Sequence, residues 1–160
     1  MKIRLTNGKA AAPGDIAALQ RRIGTSLPSD YLEFIAVNDG ARAQSNSFKV
    51  GLKNGSDVTG FIQVKEIIKA MSIIEDLPPK AFPITRDSCG NYVYIDQGKN
   101  GAVFFWDHEV PESTRIADRF SSFLEMIEPF DVASVKLKPG QVKSVWIDPE
   151  FLKKIREQEK

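Results

Sequence analysis

The chain is 160 residues long, room for one ordinary domain and too short for two cores of normal size. Its 42% hydrophobic and 27% charged residues match globular usage and exclude a disordered or fibrous chain. Twenty-two Lys and Arg against 21 Asp and Glu leave a net charge of +1, which removes the compositional case for a nucleic-acid or membrane-surface binder.

Pro13-Gly14-Asp15 opens a helix with Ile16, Leu19 and Ile23 on one stripe, and Gly24 closes it. A second helix follows with Pro28 in its first position. Tyr31, Phe34 and Ile35 share its face, and Gly40 after Asn38-Asp39 is a left-handed stop. The period then changes. Phe48 to Leu52 and Val58 to Ile62 are β-prone runs flanking Lys53-Asn54-Gly55-Ser56-Asp57, where Asn-Gly predicts a hairpin turn. Val64, Ile67, Ile68 and Met71 return to helical spacing, with Leu77-Pro78-Pro79 as the stop.

Three strands are expected next: Ala81 to Thr85, Tyr92 to Ile95 and Ala102 to Trp106. The turn-rich stretch Asp96 to Gly101 joins the last two as an antiparallel hairpin. Asp118 is placed to cap a helix carrying Phe120, Phe123, Leu124 and Ile127. A last helix begins at Asp148-Pro149, with Ile147 stapled to Leu152. The expected architecture is α+β: one domain over 1–160, a largely antiparallel sheet, and N-terminal, central and C-terminal helices. Cys89 stands alone, so no internal disulfide forms. The N-terminus lacks a signal-peptide core, and no run of about 18 apolar residues occurs. A cytoplasmic location with no membrane partner is the expectation.

Several blocks, in order, resemble the SUKH superfamily, named for a fungal cell-wall-synthesis regulator and populated mainly by bacterial immunity proteins. The first is Leu27-Pro28-Ser29-Asp30-Tyr31-Leu32-Glu33-Phe34, running into Asn38-Asp39-Gly40. The second is Phe82 to Tyr92, followed by Gly101-Ala102-Val103-Phe104-Phe105-Trp106-Asp107-His108-Glu109. Ile116-Ala117-Asp118 leading into Phe120 to Leu124 is the third, and Trp146 to Glu150 resembles a tail of the bacterial branch. The resemblance covers about 16–152. Two positions depart from it: Asp39, where members usually carry glycine, and Asn91, where aspartate is frequent. What the resemblance implies is a protein-binding α+β domain. Bacterial members neutralise a co-encoded toxin, often a nuclease or deaminase, by direct contact; fungal members are regulatory scaffolds. Enzymatic activity is not implied.

The residues themselves offer few chemical constellations. Asp107-His108-Glu109 places a histidine between two carboxylates, but neighbours in an extended segment point to opposite faces, so one pocket would not hold all three. A zinc site lacks ligands with one His and one Cys, and a Cys89–His108 dyad needs the two to meet in space. Gly51, Gly55 and Gly60 form no phosphate loop, since no lysine and hydroxyl follow the last glycine. No cofactor, metal or catalytic residue is therefore assigned. Trp106 reads as core or anchor, and Trp146 likewise.

Charge is distributed unevenly. From Asp87 to Glu128 there are eight acids and three bases, a local charge of −5. An acidic edge suits a basic partner such as the nucleic-acid channel of a toxin nuclease. The expected partner surface combines Asn38, Asp39 and Gly40 with the Asp87–Asn91 loop and the strand end Trp106, Asp107, His108 and Glu109. Asp87, Asp107 and Glu109 would meet basic residues, with Trp106 or Tyr92 as the packed anchor. The alternatives are an intracellular scaffold of the fungal type and a small enzyme using His108.

Overall fold

In the computed structural model, which describes residues 2–51 and 54–131, helices begin and end where local chemistry permits. Helix α1 (Pro13–Ile23) starts on proline, with Asp15 in its first turn and Arg21 and Arg22 in its last. Those charges complement the helix dipole, and Gly24 ends the helix at φ +70°. Helix α2 (Ser29–Asn38) buries Tyr31, Phe34 and Ile35. Pro28 stands one position earlier than expected, flanking the helix rather than opening it. Its carbonyl accepts the Leu32 N–H at 3.0 Å.

Two helix ends differ from the sequence reading. Helix α3 (Val64–Met71) stops well before Leu77, at Ser72. There the hydroxyl donates back to the Lys69 carbonyl at 2.8 Å and competes with the backbone ladder. Helix α4 (Phe120–Met126) is flanked by Arg119 and is not capped by Asp118, which pairs with Arg115 at 2.8 Å. Its cap comes from α2: the Ser121 N–H donates to Asp30 Oδ2 at 2.8 Å.

The strands are β1 (Leu5–Thr6), β2 (Arg42–Ala43), β3 (Asn46–Val50), β4 (Asn54–Ser56), β5 (Gly60–Phe61), β6 (Ala81–Arg86), β7 (Tyr92–Asp96), β8 (Ala102–Trp106), β9 (Thr114–Ala117) and β10 (Glu128–Pro129). They form a seven-stranded antiparallel sheet, β1-β2-β5-β6-β7-β8-β9, and a three-stranded one, β10-β3-β4. The hairpin expected to turn at Asn54-Gly55 turns earlier. Phe48 pairs with Ser56 and Val50 with Asn54, so Asn54 and Gly55 lie within β4. The second run, β5, joins the larger sheet instead. Asn46 helps to set this path: its buried amide donates to the Val58 carbonyl at 2.8 Å and accepts the Val58 N–H at 2.9 Å. Pro83 sits in the middle of β6, where the register shifts between Pro83 and Thr85 and relieves the ladder of the missing N–H.

One apolar cluster joins all four helices to the sheet through Leu19, Tyr31, Ile67, Phe82, Ile95 and Phe120. Tyr31 and Phe34 meet the Phe120 ring edge-on at 5.1 and 5.0 Å. Phe48 ties the small sheet in, edge-on to Phe123 at 5.3 Å. Such aromatic pairs contribute about 0.5–1.5 kcal/mol each beyond burial. A second cluster, Ala70, Ile74 and Tyr92 with Trp106 against it, is also fed by α3. No helix of the described residues is long and apolar enough to cross a membrane. The expected last helix at Asp148, and Trp146 before it, lie outside the described residues.

Candidate functional site

At one end of the larger sheet, three strand ends place alternate residues on opposite sides. Arg86 pairs with Tyr92, and Tyr92 with Trp106, so these three share a face. Their chain neighbours Asp87, Asn91 and Asp107 line a cleft of about 1030 Å³ whose walls also include β3, β4 and Phe105. The charged groups lining it among the described residues are Asp57, Asp87, Asp107 and Glu112, with no Lys, Arg or His. Val50, Val58, Val110 and Phe130 supply apolar surface, and Val110 and Phe130 are about half exposed, at 48% and 44%.

Asp87 organises the site. Its Oδ1 accepts the backbone N–H groups of Cys89 and Asn91 at 2.9 and 2.8 Å. Its Oδ2 accepts from the Ser56 hydroxyl at 2.9 Å and the Asn91 amide at 2.8 Å. The carboxylate is buried and fastens the 87–91 turn to β4. With that amide donating to Asp87, Asn91 Oδ1 is left as an acceptor. It takes the His108 N–H at 3.2 Å and lies 2.7 Å from His108 Nδ1. Since Oδ1 only accepts, the Nδ1 proton is fixed on the ring. Asp107 accepts the Glu109 N–H at 2.9 Å through Oδ1 and has no partner for Oδ2 among the described residues. Asp57 likewise uses Oδ1 alone, for the Ser88 N–H at 3.1 Å and hydroxyl at 2.8 Å. Asp57, Asp107 and Glu112 are thus the carboxylates open to a visitor.

The expected surface is only partly assembled in this cleft. Asp87, Asn91 and Asp107 line it, while His108 and Glu109 lie on the exposed turn beside it. Trp106 faces the other side with Tyr92, ring centroids 6.1 Å apart. Gly40 also lines a different cleft, and its φ of +71° together with Gln63, whose Cγ would stand 2.5 Å from a Cβ, keeps that position glycine. Asn38 lends its carbonyl to the Ala41 N–H at 3.0 Å. Asp39 is buried, and its Oδ1 accepts the Val64 N–H at the start of α3, at 2.8 Å. Burial pushes its carboxyl above the ordinary carboxylate range, with the Val64 bond pulling the other way.

Nor does the acidic stretch act as one edge. Asp87 and Asp96 are buried, while Asp118 pairs with Arg115 and Glu128 with Lys2. Lys2, hydrogen-bonded to Glu128 at 2.7 Å, also holds that exposed carboxyl below its usual range. Asp57, from outside the stretch, joins the cleft only through folding. Sequence reasoning missed it, and missed Glu112 as part of a site; a turn aspartate between two β runs carries no signal of its own. No described group of three or more His, Cys, Asp or Glu is disposed to hold a metal ion.

Comparison with known proteins adds one finding. The SMI1 / KNR4 family (SUKH-1) matches residues 10–126. The match includes all four helices and every strand of the larger sheet except β1. No curated protein matches the chain. With most of its length matched, the chain belongs to the SMI1 / KNR4 (SUKH-1) family.

Proposed function

We propose that the chain is a non-enzymatic, cytoplasmic immunity protein that neutralises a toxin by taking a basic segment of it into the acidic cleft. One observation carries this reading: a cleft of about 1030 Å³ whose described charged residues are all carboxylates. Among the described residues, three of those carboxylates keep unsatisfied acceptor capacity, and Val110 and Phe130 offer apolar contact beside them. A Lys- or Arg-rich loop, such as one lining the nucleic-acid channel of a nuclease, complements that lining. Its charges would find partners while its stems cover the apolar wall. The non-enzymatic part is supported by His108, whose Nδ1 meets the Asn91 amide rather than a carboxylate. Such an arrangement orients the ring through a neutral acceptor.

The test is rescue and association. Where a neighbouring gene encodes a toxin domain, co-expression with this chain is expected to restore growth. Replacing Asp57→Asn, Asp107→Asn and Glu112→Gln together is expected to slow association about tenfold at low salt and flatten its salt dependence. Unchanged association kinetics would sink the electrostatic reading. Many weak partners in place of one dominant toxin would favour a scaffold of the fungal type.

A further inference from the structure

The opposite face of the same sheet end carries a second cleft with the opposite charge. Arg42, Gly60 and Arg86 are register partners on three neighbouring strands, β2, β5 and β6. Partners on adjacent strands share a face and stand about 5 Å apart, so the two arginines rise roughly 10 Å from each other. Gly60 between them carries no side chain, and the Ala41 carbonyl and the Arg42 stem close in on that position. A Cβ there would stand 3.1 Å from the Ala41 carbonyl oxygen and 3.8 Å from Arg42 Cγ. The row continues through Tyr92 to Trp106. Helix α3 forms the facing wall with Lys69 and Ala70, joined by Ile73 just beyond its end, and the cleft holds about 580 Å³. That volume lies within the roughly 300–1,000 Å³ of small-molecule sites.

The charges here are unspent. Among the described residues none of Arg42, Lys69 and Arg86 enters an ion pair. The one carboxylate in the cleft, Glu66, lies 4.0 Å from Lys65 Nζ. The apolar side is also open, with Ile73 52% exposed.

We propose that this cleft binds a small organic phosphate. The phosphate is held between the two guanidinium groups, and the ligand's flat apolar body lies against Tyr92, Ala70 and Ile73. Phosphate fits better than carboxylate because its tetrahedral oxygens reach two separate forks at once, whereas a planar carboxylate is satisfied by one. This site is independent of the acidic cleft and of any toxin.

The probe is adenosine monophosphate, titrated at low salt and followed by backbone amide NMR, with adenosine and inorganic phosphate titrated separately. Saturable shifts confined to strands β2 and β5 to β7 and to α3 with the turn after it are expected with the monophosphate, and binding about tenfold weaker with either half alone. Arg42→Gln and Arg86→Gln are each expected to weaken it about tenfold while leaving the remaining spectrum native. The acidic-cleft triple variant is expected to bind it unchanged. Absence of saturation up to about 10 mM would overturn the proposal. So would binding that survives both arginine substitutions, or inorganic phosphate binding as tightly as the nucleotide.

Discussion

Asp39 shows how one side chain can be misassigned from its neighbours. Beside Asn38 and Gly40 it reads as an exposed turn acid ready for a partner, yet it is buried and holds the first N–H of α3. Because burial raises its folded pKa, the native state keeps the proton to higher pH than the unfolded chain does. Between those two values the native state binds more protons, so its stability contribution is full below the unfolded value, about 3.9, and is lost as pH rises through the folded one. Asp39→Asn keeps the acceptor and removes the titration. Its stability relative to wild type is therefore expected to rise with pH across that window in urea unfolding. Asp39→Ala leaves the Val64 N–H without its partner and is expected to cost about 1–3 kcal/mol at low pH, the difference from wild type shrinking as pH rises. A parallel pH dependence in Asp39→Asn and wild type would contradict this.

At the scale of elements, the sequence locates helices well and their caps poorly. Helical spacing of Phe120 and Phe123 places α4 correctly, because periodicity is a property of the element alone. The cap is a tertiary contact: Asp30, ninety-one residues away, accepts from Ser121, while the adjacent Asp118 faces Arg115 in solvent. Asp30→Ala is expected to destabilise the fold by about 1–2 kcal/mol, and Asp118→Ala to change it by under about 0.5 kcal/mol. Chemical denaturation of the two variants distinguishes them, and equal losses would return the cap to Asp118. The β3–β4 hairpin follows the same logic. Asn54-Gly55 suits a turn, but two bonds from buried Asn46 to Val58 and a left-handed Gly51 (φ +64°) draw the reversal toward the N-terminus.

For the whole molecule, a net charge of +1 conceals local segregation of charge. Four carboxylates share one cleft, and Arg42, Lys69 and Arg86 share another. Thr59 lines both. Like charges gathered in excess of their counter-charges repel, and salt screens them: the Debye length falls from about 30 Å at 0.01 M to about 8 Å at 0.15 M. The thermal midpoint is expected to rise by about 2–4 °C over that range, equivalent to about 1 kcal/mol for a chain of this size. Asp57→Asn with Glu112→Gln is expected to reduce the rise. A midpoint that falls with added salt would show that cross-cleft attraction dominates.

The sequence by itself determined the α+β class, four helix positions among the described residues, the β7–β8 hairpin and the family resemblance. All of these rest on periodicity, turn chemistry and ordered motifs, which are local and survive without coordinates. It also determined that charge is unevenly spread. Tertiary structure alone decided where that charge goes. Strand alternation sends Arg86 and Asp87 to opposite faces, and likewise Asn91 and Tyr92, and Trp106 and Asp107. Sheet order then brings Asp57 to one face and Arg42 to the other. A run of residues with one net sign is a property of the chain; a cleft with one sign depends on which strands are neighbours.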